Sequence, residues 1–117
     1  MNDLTQKRCV PCEGQVAPAT ALDIARMHQH VPDWTLIDVD GETRIQRVFT
    51  FPTFAAAMEF TRGVADIAEA DGHHPALLTE WGKVTVTWWT HAIRGLHEND
   101  FIMAAKTDAI ARDLKIA

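Results

Sequence analysis

Glu69, the tripeptide His73-His74-Pro75, His91 within Trp89-Thr90-His91, and Asp100 are the residues of this 117-residue chain whose types and spacing could do chemistry. Imidazole has an unperturbed pKa of about 6.5, so near neutral pH one ring can donate a proton while another accepts one. Glu69 stands four residues before His73, the spacing at which a carboxylate orients an imidazole if a helical path persists between them. Three histidines and a carboxylate are also acceptable zinc ligands. Adjacent residues of an extended chain point in opposite directions, which sets His73 and His74 against joint ligation of one ion. The set therefore reads as metal-free acid/base machinery, although any one of these histidines taken singly reads as a surface or capping residue. His28 and His30 sit on or just beyond a predicted helix with no partner set in view. Cys9 and Cys12 form a lone C-x-x-C, half of a four-ligand zinc site at most and not placed between a strand and a helix as a thioredoxin-type motif is, so they read as reduced, exposed thiols.

The elements that must hold these residues follow from composition and periodicity. A chain of this length with 47% hydrophobic residues supports one core and one domain. Its formal net charge of -5 has the wrong sign for neutralising many phosphates, which argues against nucleic-acid binding. No stretch approaches the roughly 20 apolar residues that cross a bilayer, and Met1 to Arg8 lacks the apolar segment of a signal peptide, so the expected protein is cytoplasmic with no membrane partner.

Residues 1–18 hold Pro11, Gly14 and Pro18 with little periodicity and read as an irregular arm; residues 19–117 read as the single domain. Thr20 with Asp23 resembles a capping box, and Ala21, Ile24, His28 and Val31 follow at helical spacing until Pro32. Trp34 to Val39 and Thr43 to Phe51 read as a hairpin about Asp40-Gly41, with Ile45, Phe49 and Phe51 on one face and Arg47 interrupting it. Thr53 caps a second helix carrying Ala57, Phe60, Val64 and Ile67, which Gly72 ends. Pro75 to Glu80 and Lys83 to Thr90 read as a second strand pair, the latter alternating Val84, Val86 and Trp88 against Lys83, Thr85 and Thr87. Asn99 to Ile116 reads as a third helix. The order αββαββα, with no βαβ alternation, predicts an α+β fold: a four-stranded antiparallel sheet with three helices packed on one face. Exposed sheet edges in so small a domain favour pairing across a two-fold axis, hence a homodimer or homotetramer.

Glu69, His73-His74-Pro75, Trp81, His91 and Asp100, separated by three, five, nine and eight residues, resemble the signature of the pterin-4a-carbinolamine dehydratase family. The resemblance extends to Trp34, Gly82-Lys83-Val84, Gly95-Leu96 and Glu98-Asn99-Asp100-Phe101-Ile102, covering roughly Thr20 to Ile110. It implies dehydration of 4a-hydroxytetrahydropterin, the product of aromatic amino acid hydroxylases, to quinonoid dihydropterin plus water, as part of tetrahydrobiopterin recycling and without a cofactor. It implies that His73 and His91 are acid and base in unassigned order, that His74 holds the pterin, and that Glu69 orients or tunes them. Gly72 to Pro75 and Trp89, Thr90, His91 and Ala92 then line the pocket. Trp34 is either a stacking wall or a core anchor, and Trp81 and Trp88 are assigned to packing. Animal members also bind a transcription factor, so an interaction role is the alternative, as is a paralogue acting on another pterin near molybdenum-cofactor metabolism.

Three positions depart from the family pattern. Gly72 stands where relatives carry an acidic residue or asparagine, Arg94 where bacterial relatives often carry glycine, and His97 where serine or threonine usually caps the last helix. Losing that cap would cost about 0.5–2 kcal/mol unless Asn99 took its place.

Overall fold

The computed structural model describes residues 4–7, 9 and 18–114. Helix α1 (Ala21–His28) opens with the expected capping box, in which the Thr20 hydroxyl accepts the Asp23 N–H at 3.2 Å and the Asp23 carboxylate accepts the Thr20 N–H at 3.4 Å. Strands β1 (Thr35–Val39) and β2 (Glu42–Thr50) turn at Asp40 and Gly41, whose φ values of 53° and 84° satisfy the two positive dihedrals of a tight hairpin. Thr53 caps α2 (Phe54–Asp71) by accepting the Ala56 N–H at 3.1 Å. Strands β3 (Ala76–Glu80) and β4 (Lys83–Trp88) follow, and then α3 (Glu98–Asp113). Helix α3 ends at Asp113 with Leu114 as its C-cap, short of the expected Ile116; residues 115–117 lie outside the described residues.

The sheet runs β1-β2-β4-β3, every neighbouring pair antiparallel. Ile45 faces Trp88 and Phe49 faces Val84 in the register, so the period-two pattern of β2 and β4 puts Ile45, Phe49, Val84, Val86 and Trp88 under the helices. The opposite face carries Arg44, Gln46, Val48, Thr85, Thr87 and Leu78, with Val48 and Leu78 exposed and no helix of the described residues over them. The α+β architecture is the one expected from the sequence.

Aromatic rings build the core. Phe60 on α2 packs on Phe49 and Phe51 at centroid separations of 4.7 and 5.1 Å, and Trp34 meets Phe49 edge-on at 6.0 Å. Trp34 is 1% exposed, and its indole N–H donates to Asp108 on α3 at 2.9 Å. It is thus a core anchor, without a free ring face on which a pterin could stack. Arg47, the break in the apolar face of β2, lays its guanidinium over Phe49 and donates to the same Asp108 at 2.8 Å. Its stem is packed while its charge is paired. Desolvation holds the Asp108 carboxyl above its ordinary pKa, against the lowering influence of Trp34 and Arg47.

Three placements differ from expectation. Trp81, assigned to packing, stands 76% exposed in the two-residue β3–β4 turn, where Gly82 takes φ 79°. Leu4, within the stretch read as an irregular arm, is buried in the core from a single 3-10 turn (Leu4–Gln6), and Lys7 pairs with Glu98 at 2.8 Å. Cys9 is half-buried rather than exposed, its sulfur 3.8 Å from the Asn99 carbonyl. Cys12 lies outside the described residues.

Candidate active site

The site begins with how α2 stops. Gly72 adopts φ 63°, ψ 30°, and the N–H groups of Gly72 and His73 return to the carbonyls of Glu69 and Ala68 at 3.4 and 3.1 Å. This left-handed terminus satisfies the last carbonyls and turns the chain sharply out of the helix. A short salt bridge between Asp71 and Lys106, 2.6 Å and largely buried, ties the same end of α2 to α3.

The turn separates the two adjacent histidines. His73 enters the protein: its ring stacks nearly parallel on Trp88 at 5.6 Å, and its Nε2 lies 2.7 Å from Asp100 Oδ1. His74 stays outside, with Nε2 3.2 Å from Glu69 Oε1, both side chains exposed. Glu69 therefore partners His74 and not His73. The four-residue spacing to His73 carries no weight because the left-handed Gly72 breaks the helical path between them.

Asp100 is fully buried and collects three donors: His73 Nε2 on Oδ1, and the Thr90 hydroxyl at 2.8 Å and the His97 N–H at 2.9 Å on Oδ2. It sits in the first turn of α3, where the helix dipole favours a negative charge. An ionised Asp100 has only acceptors, so the His73 nitrogen facing it carries a proton, and Nδ1 of the neutral ring is left as an acceptor. Among the described residues Nδ1 has no hydrogen-bond partner.

His97, expected to be a lost cap, is itself the N-cap. Its Nδ1 accepts the Asn99 N–H at 3.1 Å, and with Asp100 it completes a capping box. The signal was present in the sequence as a polar residue followed three positions later by a carboxylate, but histidine is not among the preferred capping residues.

Thr90 and Gly95 close the loop that carries His91, with Thr90 N–H donating to Gly95 O at 2.9 Å. Inside it His91 starts a 3-10 turn (His91–Ile93), exposed, its ring 4.4 Å from that of Trp89. Thr90 is 3% exposed with its hydroxyl given to Asp100, so it braces the site from behind, while Ala92 is exposed. Arg94 follows with φ 53°, the left-handed conformation that explains why glycine suits this position.

Asp100 thus joins His73 to Thr90, the neighbour of His91, and the stacking of His73 on Trp88 puts the HHP segment at the β4 end that leads to His91. A cleft of about 670 Å³ between α1, the Leu4–Lys7 segment and the start of α3 includes His97 and Glu98 but none of His73, His74 or His91. Among the described residues no group of three or more His, Cys, Asp or Glu side chains gathers as ligands for one ion. The arrangement is two carboxylate–imidazole pairs and one exposed imidazole at a rim, which can exchange protons with a ligand seated there.

Comparisons with known proteins place the chain in a family. The family described as Pterin 4 alpha carbinolamine dehydratase matches residues 17–110. A protein of Chlorobaculum tepidum, provisionally named a pterin-4-alpha-carbinolamine dehydratase, is 56% identical over 94% of this chain and 99% of its own. One of Microcystis aeruginosa with the same provisional name is 51% identical over 96% and 97%. The crystal structure of a transcriptional coactivator/pterin dehydratase from Brucella melitensis superposes with a TM-score of 0.73 at 34% identity, covering 80% of this chain and 98% of that one. The chain belongs to the pterin 4 alpha carbinolamine dehydratase family.

Proposed function

We propose that the protein dehydrates 4a-hydroxytetrahydropterin to quinonoid dihydropterin and water. The observation that carries this reading is the Asp100–His73 pair at 2.7 Å, which fixes the imidazole with one nitrogen protonated and the other poised to accept. In the reaction the C4a–O bond breaks, the N5 lone pair forms the C4a=N5 bond, the N5 proton goes to a base, and the departing hydroxyl takes a proton and leaves as water. His73 suits the base role because Asp100 stabilises the imidazolium it becomes. His91, exposed and without a carboxylate partner among the described residues, suits delivery of the proton to the hydroxyl. His74, braced by Glu69, would hold the pterin ring. Each proton transfer is worth about 10²–10⁴-fold.

The same reading extends to tetrahydrobiopterin recycling beside an aromatic amino acid hydroxylase in the cytoplasm. No helix among the described residues is long and apolar enough to cross a membrane. A homo-oligomeric state is favoured by the backbone edge of β3, which ends the sheet without a neighbouring strand among the described residues.

The experiment follows the ultraviolet absorbance of enzymatically generated 4a-hydroxytetrahydropterin with wild type, His73→Ala and His91→Ala, before and after chelator treatment. Acceleration that survives chelation and drops about 10²-fold or more in both folded variants is the expected result. No acceleration by folded wild type would refute the reading.

A further inference from the structure

Two side-chain N–H groups of the described residues are buried without an acceptor: Arg44 Nε and Trp89 Nε1. They are neighbours by construction of the sheet. Ile45 faces Trp88 in the last registered pair of β2 and β4, and the residues just beyond that pair, Arg44 and Trp89, meet on the face that no helix of the described residues covers. The guanidinium carbon sits 3.9 Å from the centre of the Trp89 ring, and that ring in turn lies 4.4 Å from the ring of His91. A guanidinium, an indole and an imidazole thus form one ladder that ends at the exposed histidine of the site.

A buried donor left without an acceptor costs more than a cation–π contact returns, and here there are two such donors in contact. An acceptor reaching both would relieve the arrangement. Trp89 is 7% exposed and fixed between β4 and the closed 90–95 loop. Arg44 is the movable partner: its side chain keeps 21% exposure, and its ion-pair contact, to Glu42 at 3.5 Å, is longer than a charge-assisted hydrogen bond. A pivot of the guanidinium would present its planar fork beside the indole N–H, the chemistry that recognises carboxylate or phosphate.

We infer that Arg44 and Trp89 form a subsite for an oxyanion at the end of the pterin's 6-substituent, making this chain selective for reduced pterins with an anionic tail. The inference rests on the pterin reading above for the ring itself, and it adds a residue, Arg44, that lies outside the family signature quoted from the sequence. The ladder gives the direction of the tail: from His91 across Trp89 toward the helix-free face.

The test compares kcat/KM for the 4a-hydroxy forms of three probes: a 6-hydroxymethyl tetrahydropterin, its phosphate monoester, and a tetrahydropterin whose 6-substituent ends in a carboxylate. Wild type should favour at least one anionic probe over the neutral one by about tenfold or more, the size of one hydrogen bond to a charged group. The preferred arm tells phosphate from carboxylate. Arg44→Gln should bring that ratio to near one, a readout in which any general loss of folded enzyme cancels. Calorimetric titration with the oxidised, unreactive pterins bearing the same tails measures the preference without turnover. Equal handling of all three probes by wild type, or a ratio unchanged in Arg44→Gln, overturns the subsite. A tail preference in calorimetry with no turnover of any probe would instead refute the dehydratase reading and leave the subsite standing.

Discussion

Asp100 Oδ1 lies 2.7 Å from His73 Nε2, a contact between the first turn of α3 and the segment just past α2 that spans 27 residues of sequence. The other oxygen of the same carboxylate accepts from Thr90 and from the backbone of His97. One buried side chain therefore orients the candidate base, braces the loop of His91 and caps a helix.

Asp100→Asn should show all three effects together. An amide offers one acceptor oxygen where the carboxylate offered two, so at least one of the three donors loses its partner. Stability should fall by about 1–3 kcal/mol in urea unfolding, and kcat should drop about 10²-fold or more while KM changes less. Unchanged turnover in a folded Asp100→Asn protein would remove His73 from the base role.

Gly72 sets where His73 points. Its φ of 63° is strained for a residue with a side chain, although a Cβ there would meet nothing within 4 Å. Gly72→Ala should lower stability by about 1 kcal/mol, and Gly72→Asn by less, since asparagine tolerates the left-handed region. The check is a thermal melt of both variants against wild type; equal losses for alanine and asparagine would show that the backbone dihedral is not the cause.

Much of this was legible in the sequence, and the exceptions share a cause. Asp40-Gly41, Thr53 and the alternation of β4 each announce local structure by chemistry that acts within a few residues, and each element formed as expected. Glu69 and His97 were misread because their partners depend on one backbone dihedral or on an unusual capping group. The burial of Trp89 beneath Arg44 needs the β2–β4 register, which no short-range pattern states. Asp100 was visible as part of a spacing, but its grip on His73 appears only when α2 and α3 are packed side by side.

Arg94 occupies a left-handed position, φ 53°, without the freedom of glycine. Arg94→Gly should raise stability by up to about 1 kcal/mol, the strain relieved being partly offset by the greater entropy of the unfolded chain. Denaturant unfolding decides it, and a loss of stability would mean that the Arg94 side chain makes a contribution larger than its backbone strain.

Asp108 gives a pH signature. Its pKa is raised in the folded state, so folded protein binds this proton more tightly than unfolded protein does. The stability it contributes is fully present below the ordinary value of 3.8 and is lost as pH rises through the folded pKa. Asparagine cannot titrate. The difference in unfolding free energy, wild type minus Asp108→Asn, should therefore shrink as pH is raised from below 3.8. A difference that grew with pH would show that pairing with Arg47 outweighs desolvation.

The capping of α3 by His97 and Asp100 bears on how this chain could change over generations. In many enzymes the reactive groups can decay without harm to the fold, leaving an inert relative free to take up a binding role. Here the carboxylate behind His73 also helps His97 start the last helix, so erosion at position 100 would cost stability as well as chemistry. A lineage abandoning the chemistry would have to lose His73 or His91 first and keep Asp100, and an intact aspartate beside missing histidines would be the mark of such a descent.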